Sequence, residues 1–137
     1  MTFLRFCIVS VLLISCINLN GQNLIGYKVN DLKKYMREKE KEFIYQSMTY
    51  NPTFKYLKYQ DMNEAQTILF FLTADSVCKG VRLIGDKSLQ PEKIKELNAK
   101  YTRTGNNTWS ETRNGVNYLI ELKEEDWSFN LNYSLNE

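Results

Sequence analysis

The stretch that decides the fold is TWSETRNGVNYLIELKEEDWSFNLNYSL, residues 108–135. It contains Asn114 and Gly115, a dipeptide that strongly favours a two-residue hairpin turn because both residues tolerate positive φ angles. Apolar side chains alternate with polar ones around this turn, most regularly in residues 126–135. A period of two is typical of strands with one buried face. The stretch therefore predicts three strands, at residues 108–113, 116–122 and 126–135.

Four more strands are predicted upstream. Residues 44–50 alternate between apolar and polar positions, and Asn51 and Pro52 then mark a turn. The aromatic-rich residues 54–59 form the second of these strands. Residues 67–72, TILFFL, are a continuous apolar run, which is typical of a strand covered on both faces. The fourth strand, residues 77–84, contains a glycine at position 80, which indicates a bulge or a close backbone approach.

Two helices are predicted, one before the first strand and one between the fourth and the fifth. Asn30 is a favourable N-cap for the first helix, and Pro91 suits the first position of the second. Apolar residues recur near helical spacing in both segments: Leu32, Tyr35, Met36 and Phe43 in the first, Ile94, Leu97 and Tyr101 in the second. The charges of residues 33–42 alternate in sign, which favours a solvated helix face over a binding stripe.

This order of elements predicts an α+β fold. We expect an antiparallel sheet of about seven strands with two helices on one face, in the order helix, four strands, helix, three strands. Each half then consists of a charged amphipathic helix followed by a meander, which is a loose internal repeat of topology.

The amino-terminal segment has the layout of a secretory signal. One positive charge, Arg5, precedes an apolar run over residues 6–17, and polar residues follow. The run is shorter than the roughly 20 residues that a membrane-spanning helix needs. We therefore expect residues 1–21 to be a signal peptide, and residues 22–137 to be a single α+β domain.

Two processing routes compete for this segment. Simple cleavage would follow the small residue Gly21. Alternatively, residues 13–16, LISC, resemble a bacterial lipobox, and a lipoprotein signal ending before Cys16 would leave that cysteine acylated. Both routes predict an exported product in the periplasm, at the outer membrane or outside the cell. Only the second gives membrane contact, through a lipid anchor.

The composition argues against several chemistries. The chain has no histidine, which removes Ser-His-Asp triads, Cys-His pairs and histidine-containing zinc sites. Cys78 is the one cysteine outside the leader, so no disulfide forms within the domain, and we expect its thiol to be buried. The glycines occur singly, without a phosphate-binding loop, and the net charge of +2 does not favour nucleic-acid binding. We predict no catalytic residue, cofactor or metal.

One cluster of carboxylates supports an alternative. Four acids lie close together near the last predicted turn: Glu121, Glu124, Glu125 and Asp126. Such a cluster could bind calcium or supply the acid pair of a glycan hydrolase. It lacks the spacing of a calcium-binding loop, and a solvated hairpin tip accounts for it more simply.

Several segments carry a resemblance to known proteins. Residues 54–59 and 69–72, together with Val77, Cys78 and the late tryptophans, resemble small exported proteins of uncharacterised function from flavobacterial-type bacteria. Residues 25–27, placed before a helix and a meander, are similar to the β-lactamase-inhibitor-protein-like fold and to small outer-membrane assembly lipoproteins. This second resemblance implies a binding module and carries no functional residue over.

The aromatic side chains are the remaining functional candidates, because tyrosine and tryptophan are enriched at interfaces. We predict a recognition surface on one sheet face, formed by Tyr45, Tyr56, Tyr59, Trp109, Trp127 and Tyr133. The alternative is that these rings pack beneath the helices. The sequence thus predicts an exported binding module of the cell envelope, whose partner is a protein or another envelope component. A lipid-anchored assembly factor and a carboxylate-dependent glycan hydrolase are the alternatives.

Overall fold

The computed structural model describes residues 23–136, in which two α-helices pack on an eight-stranded antiparallel sheet. The helices are α1 (Val29–Lys39) and α2 (Gln90–Lys100), and a single 3-10 turn, Lys87–Leu89, leads into α2. The strands are β1 (Phe43–Tyr50), β2 (Lys55–Asp61), β3 (Gln66–Leu72), β4 (Cys78–Asp86), β5 (Thr102–Arg103), β6 (Thr108–Arg113), β7 (Val116–Glu124) and β8 (Ser128–Leu135).

The strand order is β1-β2-β3-β4-β8-β7-β6-β5. Each half of the chain is thus one helix followed by a four-strand meander, and the last strands of the two halves, β4 and β8, pair at the centre. The predicted α+β class is confirmed. The predicted seven strands and their order fit only in part, because β5 is an additional strand. Its two residues are both polar and exposed, so no alternating pattern in the sequence indicated a strand there.

The core lies on one face of the sheet. Side chains on this face alternate with less buried ones along β2, β3, β4, β7 and β8. Leu32 and Met36 of α1 and Leu97 of α2 belong to the same buried cluster, so both helices cover this face. We call it the helix face and the other the open face.

Strand β3 departs from its prediction. Ile68, Phe70 and Leu72 are buried on the helix face, but Leu69 and Phe71 are only partly covered. The continuous apolar run is therefore covered fully on one face alone, because the helices pack on one side of the sheet.

The ends of two elements also differ from the prediction. Helix α1 begins at Val29 after the N-cap Lys28, so Asn30 is not the cap, and it ends at Lys39. Phe43 therefore begins β1 instead of belonging to the helix. Strand β8 begins at Ser128 and not at the predicted residue 126. Trp127 therefore lies in the preceding turn, where it is 88% exposed.

Both predicted backbone irregularities are present. Asn114 and Gly115 have φ angles of 52° and 77°, as the tight turn between β6 and β7 requires. The β3–β4 register shifts beside Gly80, which confirms the expected bulge.

The segment before α1 is tied to the far half of the sheet. Arg113 donates hydrogen bonds to the carbonyl oxygens of Asn23 and Ile25, at 2.7 and 2.8 Å, and to the hydroxyl of Tyr118. Asn23, Leu24 and Ile25 are all buried. The Arg113 guanidinium thus holds residues 23–25 against the β6–β7 hairpin.

Candidate functional site

The six aromatic residues predicted to form one recognition surface are divided by the structure. Tyr59, Trp109 and Tyr133 are buried in the core on the helix face, in line with the alternative that they pack beneath the helices. Tyr56 lies on the open face, where its ring packs edge-on against Phe71. Tyr45 and Trp127 are exposed, the first on edge strand β1 and the second in the β7–β8 turn. The six side chains therefore do not share one surface.

Two of the six do meet, beside α1. Tyr45 and Tyr59 are cross-strand partners whose ring centroids are 5.6 Å apart in an edge-to-face arrangement. They line a groove of about 380 Å³ between α1 and β1, which we call the α1–β1 groove. Its lining residues are Lys33, Arg37, Lys41, Phe43, Ile44, Tyr45 and Tyr59.

The groove is basic because of helical spacing. Lys33 and Arg37 lie four residues apart on α1 and so project from the same helix face. Lys41 follows at the same interval, just beyond the end of the helix. None of these three cations forms an ion pair with any residue in the range 23–136. No carboxylate is among the seven residues that line the groove.

The cations and the rings contact each other. The Lys33 ammonium lies over the Tyr45 ring, 4.9 Å from its centroid, which is within the range of a cation–π interaction. Burial raises the pKa of Tyr59 to about 12, while the nearby Arg37 acts in the opposite direction. The Tyr59 phenol is therefore neutral at physiological pH. The groove offers positive charge and aromatic faces, a combination suited to an anionic group attached to an apolar or extended scaffold.

Sequence reasoning missed the basic stripe. The charges of residues 33–42 alternate along the chain, and the segment was therefore predicted to be a solvated helix face. Taking every fourth residue instead separates Lys33, Arg37 and Lys41 from the acids. This spacing was the signal that could have identified the groove, but only once the helix was known to lie beside an edge strand.

A buried carboxyl lies at the end of the same helix. Glu40 is 3% exposed, and its backbone carbonyl accepts a hydrogen bond from Phe43 at the start of β1. Burial raises the pKa of the Glu40 carboxyl to about 8, with a further contribution from its hydrogen bond to Glu42, while Lys93 and Lys100 oppose the shift. Glu42 is thus directed toward Glu40. The two carboxyl groups thus meet at the junction between α1 and β1.

The carboxylate cluster predicted near the last turn does not assemble into a site. Glu121 lies on the open face of β7 and pairs with Lys123 at 3.8 Å, whereas Glu124 lies on the helix face and contacts Lys87 and Gln90. Glu125 and Asp126 are exposed in the turn. No group of three potential metal-ligating side chains occurs in the part of the chain that the structure describes. The acids named for the hydrolase alternative thus lie on opposite sheet faces or in the exposed turn, and that alternative stays a prediction.

The domain cysteine is buried, as expected. Cys78 at the start of β4 is 1% exposed, and burial raises the pKa of its thiol to about 11. A thiol that is protonated and inaccessible is a poor nucleophile.

The predictions for the leader concern other residues. The signal segment, the Gly21 cleavage point and the Cys16 lipidation site lie outside the described residues, and remain predictions. Within residues 23–136, neither helix has the length and apolar character that crossing a bilayer demands.

Comparison of the chain with protein-family models, with curated proteins and with solved structures gave no match. The resemblance to small exported proteins and to inhibitor-like binding folds therefore stays a prediction from sequence.

Proposed function

We propose that this chain is an exported binding module of the cell envelope and that the α1–β1 groove is its contact site for an anionic region of a partner protein. The observation that carries the proposal is the set of three cations, Lys33, Arg37 and Lys41, converging on one groove without an ion-pair partner among the described residues. Cations gathered in this way repel one another, and a bound anion relieves that repulsion.

The shape and chemistry of the groove support binding. Its volume of about 380 Å³ is at the lower end of the range typical of ligand pockets, large enough for one or two side chains of a partner. Its walls contain the side-chain types that dominate binding hot spots, namely tyrosine and arginine.

A matched pair of charge reversals tests the proposal. Arg37→Glu reverses one charge inside the groove, and Lys34→Glu makes the same change at an exposed position of α1 that does not line it. The full-length gene is expressed in an exporting host, and the processed protein is used to capture envelope proteins by reversible cross-linking. We expect a partner that wild type and Lys34→Glu retain equally, and that Arg37→Glu retains about tenfold less well.

The control is circular dichroism of both variants, which should show the same spectrum as wild type if the fold is intact. Equal capture by Arg37→Glu and wild type would contradict the groove as the contact site. Loss of capture with both variants would show that general charge, and not this groove, is responsible.

The manner of attachment to the envelope is a separate part of the proposal. Mass spectrometry of the processed protein distinguishes the two routes, because simple cleavage leaves Gln22 at the amino terminus whereas the lipoprotein route leaves an acylated Cys16. An acylated product would favour the lipid-anchored assembly factor, with the groove then facing a partner at the membrane surface.

A further inference from the structure

Strand β1 is an unusually open sheet edge. It pairs with β2 alone, so one side of its eight-residue backbone has no strand partner among the described residues. Its sequence, FIYQSMTY, contains no charged residue and no proline. Exposed edges normally carry charged residues, prolines or bulges, because an unprotected edge pairs with other chains. Of these, β1 has a bulge, seen as a register shift between Tyr45 and Ser47.

The side chains of β1 make this edge apolar as well. Four large residues of the strand are between 43% and 76% exposed: Ile44, Tyr45, Met48 and Tyr50. The register shift between Tyr45 and Ser47 has a further effect. It brings Met48 opposite Leu57, so Tyr45 and Met48 both point to the helix face, and Tyr45 also lines the α1–β1 groove.

The groove and the open edge are continuous. Tyr45 belongs to both, and the Lys33 ammonium reaches over its ring. A strand added to β1 would lie about 4.8 Å away from it, and every second side chain of that strand would point to the helix face. Those side chains would meet the three groove cations.

We infer that the partner region is an acidic, extended polypeptide segment that adds to β1 as a ninth strand, with its carboxylates directed toward Lys33, Arg37 and Lys41. This inference rests on the proposed function of the groove. Backbone hydrogen bonds to β1 supply a sequence-independent part of the affinity, and the basic stripe selects acidic segments.

Charge complementarity favours this occupant over a second copy of the chain. Pairing of β1 with β1 of another copy would place two helix faces side by side, and would bring two identical basic grooves to the junction. No acidic side chain of β1 or of the groove could compensate this charge. An acidic strand would supply backbone hydrogen-bond partners to β1 and negative charge to the three cations.

Defined peptides test the inference. The probes are four peptides of about ten residues. One alternates glutamate and threonine, and a second has lysine in place of glutamate. The other two are glutamate–threonine peptides that are N-methylated either at every glutamate or at every threonine. N-methylation removes the donors of one strand edge only. Affinities are measured by fluorescence anisotropy on the purified processed protein, and backbone exchange is followed by NMR with and without peptide.

We expect the acidic peptide to bind at least about tenfold more tightly than the lysine peptide. We expect it to slow exchange of β1 amides about tenfold or more while leaving the β5–β6 edge unchanged. Only one of the two N-methylated frames should lose binding, because only one edge of the peptide faces β1. Arg37→Glu should weaken the acidic peptide and Lys34→Glu should not.

Three results would overturn strand addition. The first is no binding of the acidic peptide at about 1 mM. The second is equal binding of both N-methylated frames with unprotected β1 amides; if Arg37→Glu still abolishes capture in that case, the groove proposal survives alone. The third is a concentration-dependent dimer with protected β1 amides in the absence of peptide, which would identify a second copy as the occupant.

Discussion

The two edges of this sheet are built in opposite ways. Strand β1 presents eight uncharged residues with exposed apolar side chains, while at the other edge β5 is only the two residues Thr102–Arg103. Behind β5, Trp109 of β6 is fully buried, and its indole N–H donates to Asn98 of α2 at 2.9 Å. The Arg103 guanidinium covers the same ring, 5.5 Å from its centroid. One edge is closed by α2 and a short polar strand, and the other is left open beside α1.

This difference is informative because the two halves share one topology. Each is a helix followed by a four-strand meander, so the same architecture can either close or expose its first strand. The second half shortens that strand and packs its neighbour under the helix. The first half keeps the strand long and lines the space beside its helix with cations. Open edges are a hazard that proteins normally limit with charges, prolines or bulges, and β1 has a bulge but neither a charge nor a proline. The proposed strand addition accounts for the retention of this edge.

The largest expected effect on stability concerns the closed edge, on the β5–β6 side of the sheet. Trp109→Ala removes a fully buried indole and leaves a cavity beneath α2. We expect the free energy of unfolding to fall by about 3–5 kcal/mol, measured by urea denaturation followed by far-ultraviolet circular dichroism. Trp127→Ala removes the same side chain from an exposed turn and should change stability by no more than about 0.5 kcal/mol. Similar losses for both variants would contradict the burial of Trp109 beneath α2.

The next effect concerns the clamp on the closed side. Arg113→Ala removes three hydrogen bonds and strands the buried carbonyl oxygens of Asn23 and Ile25. We expect a loss of about 2–3 kcal/mol in the same urea experiment. Arg103→Ala is the matched control, since the Arg103 side chain bonds exposed carbonyls of its own loop and should cost less than about 1 kcal/mol. Equal losses would show that Arg113 does not hold the amino-terminal segment.

Much of this fold was accessible from the sequence. Asn114 and Gly115 fix the hairpin, and the period of two in β8 identifies its buried face, because both are local signals. Strand β5 was not accessible, since two polar residues carry no period. The one-sided covering of β3 was also missed, because five consecutive apolar residues, 68–72, do not reveal that both helices pack on the same face.

The candidate site was much less accessible. Of the six aromatic residues predicted for recognition, Tyr45 and Tyr59 line the groove, and the others lie elsewhere. The groove depends on Lys33 and Arg37 standing beside an edge strand, which is a property of strand order and not of local sequence. The clamp formed by Arg113 was missed for the same reason, since its partners Asn23 and Ile25 are about ninety residues away.

A pH-dependent effect tests the junction on the open side. The folded-state pKa of Glu40, about 8, is above its ordinary value of 4.5. The protonated carboxyl therefore stabilises the fold fully below pH 4.5, and this stabilisation is lost as the pH rises through 8. Between these limits wild type should lose on the order of 2 kcal/mol relative to Glu40→Gln. Urea denaturation from pH 5 to pH 9 measures the difference.

Glu38→Gln removes the same formal charge from an exposed position of α1 and is the matched control for Glu40→Gln. Native-state amide exchange locates the effect. As the pH rises, amides of β1 should lose protection relative to those of β6, because ionising the buried Glu40 carboxyl disturbs the junction where its backbone carbonyl accepts from Phe43. Lys93 and Lys100 are the nearby cations that favour the ionised carboxyl. Parallel stability curves for Glu40→Gln and wild type would contradict this role.

The smallest effect on stability tests the comparison most directly. Tyr50 is the most exposed large residue of β1, so Tyr50→Lys should change the free energy of unfolding by no more than about 0.5 kcal/mol. A lysine on an edge strand blocks pairing with other chains, so the variant should aggregate more slowly than wild type at high protein concentration. Thr102→Lys adds the same charge to the β5 edge. Light scattering should show slower aggregation for Tyr50→Lys alone, because only the β1 edge is open; equal slowing by both variants would mean that net charge, and not the exposed edge, controls association.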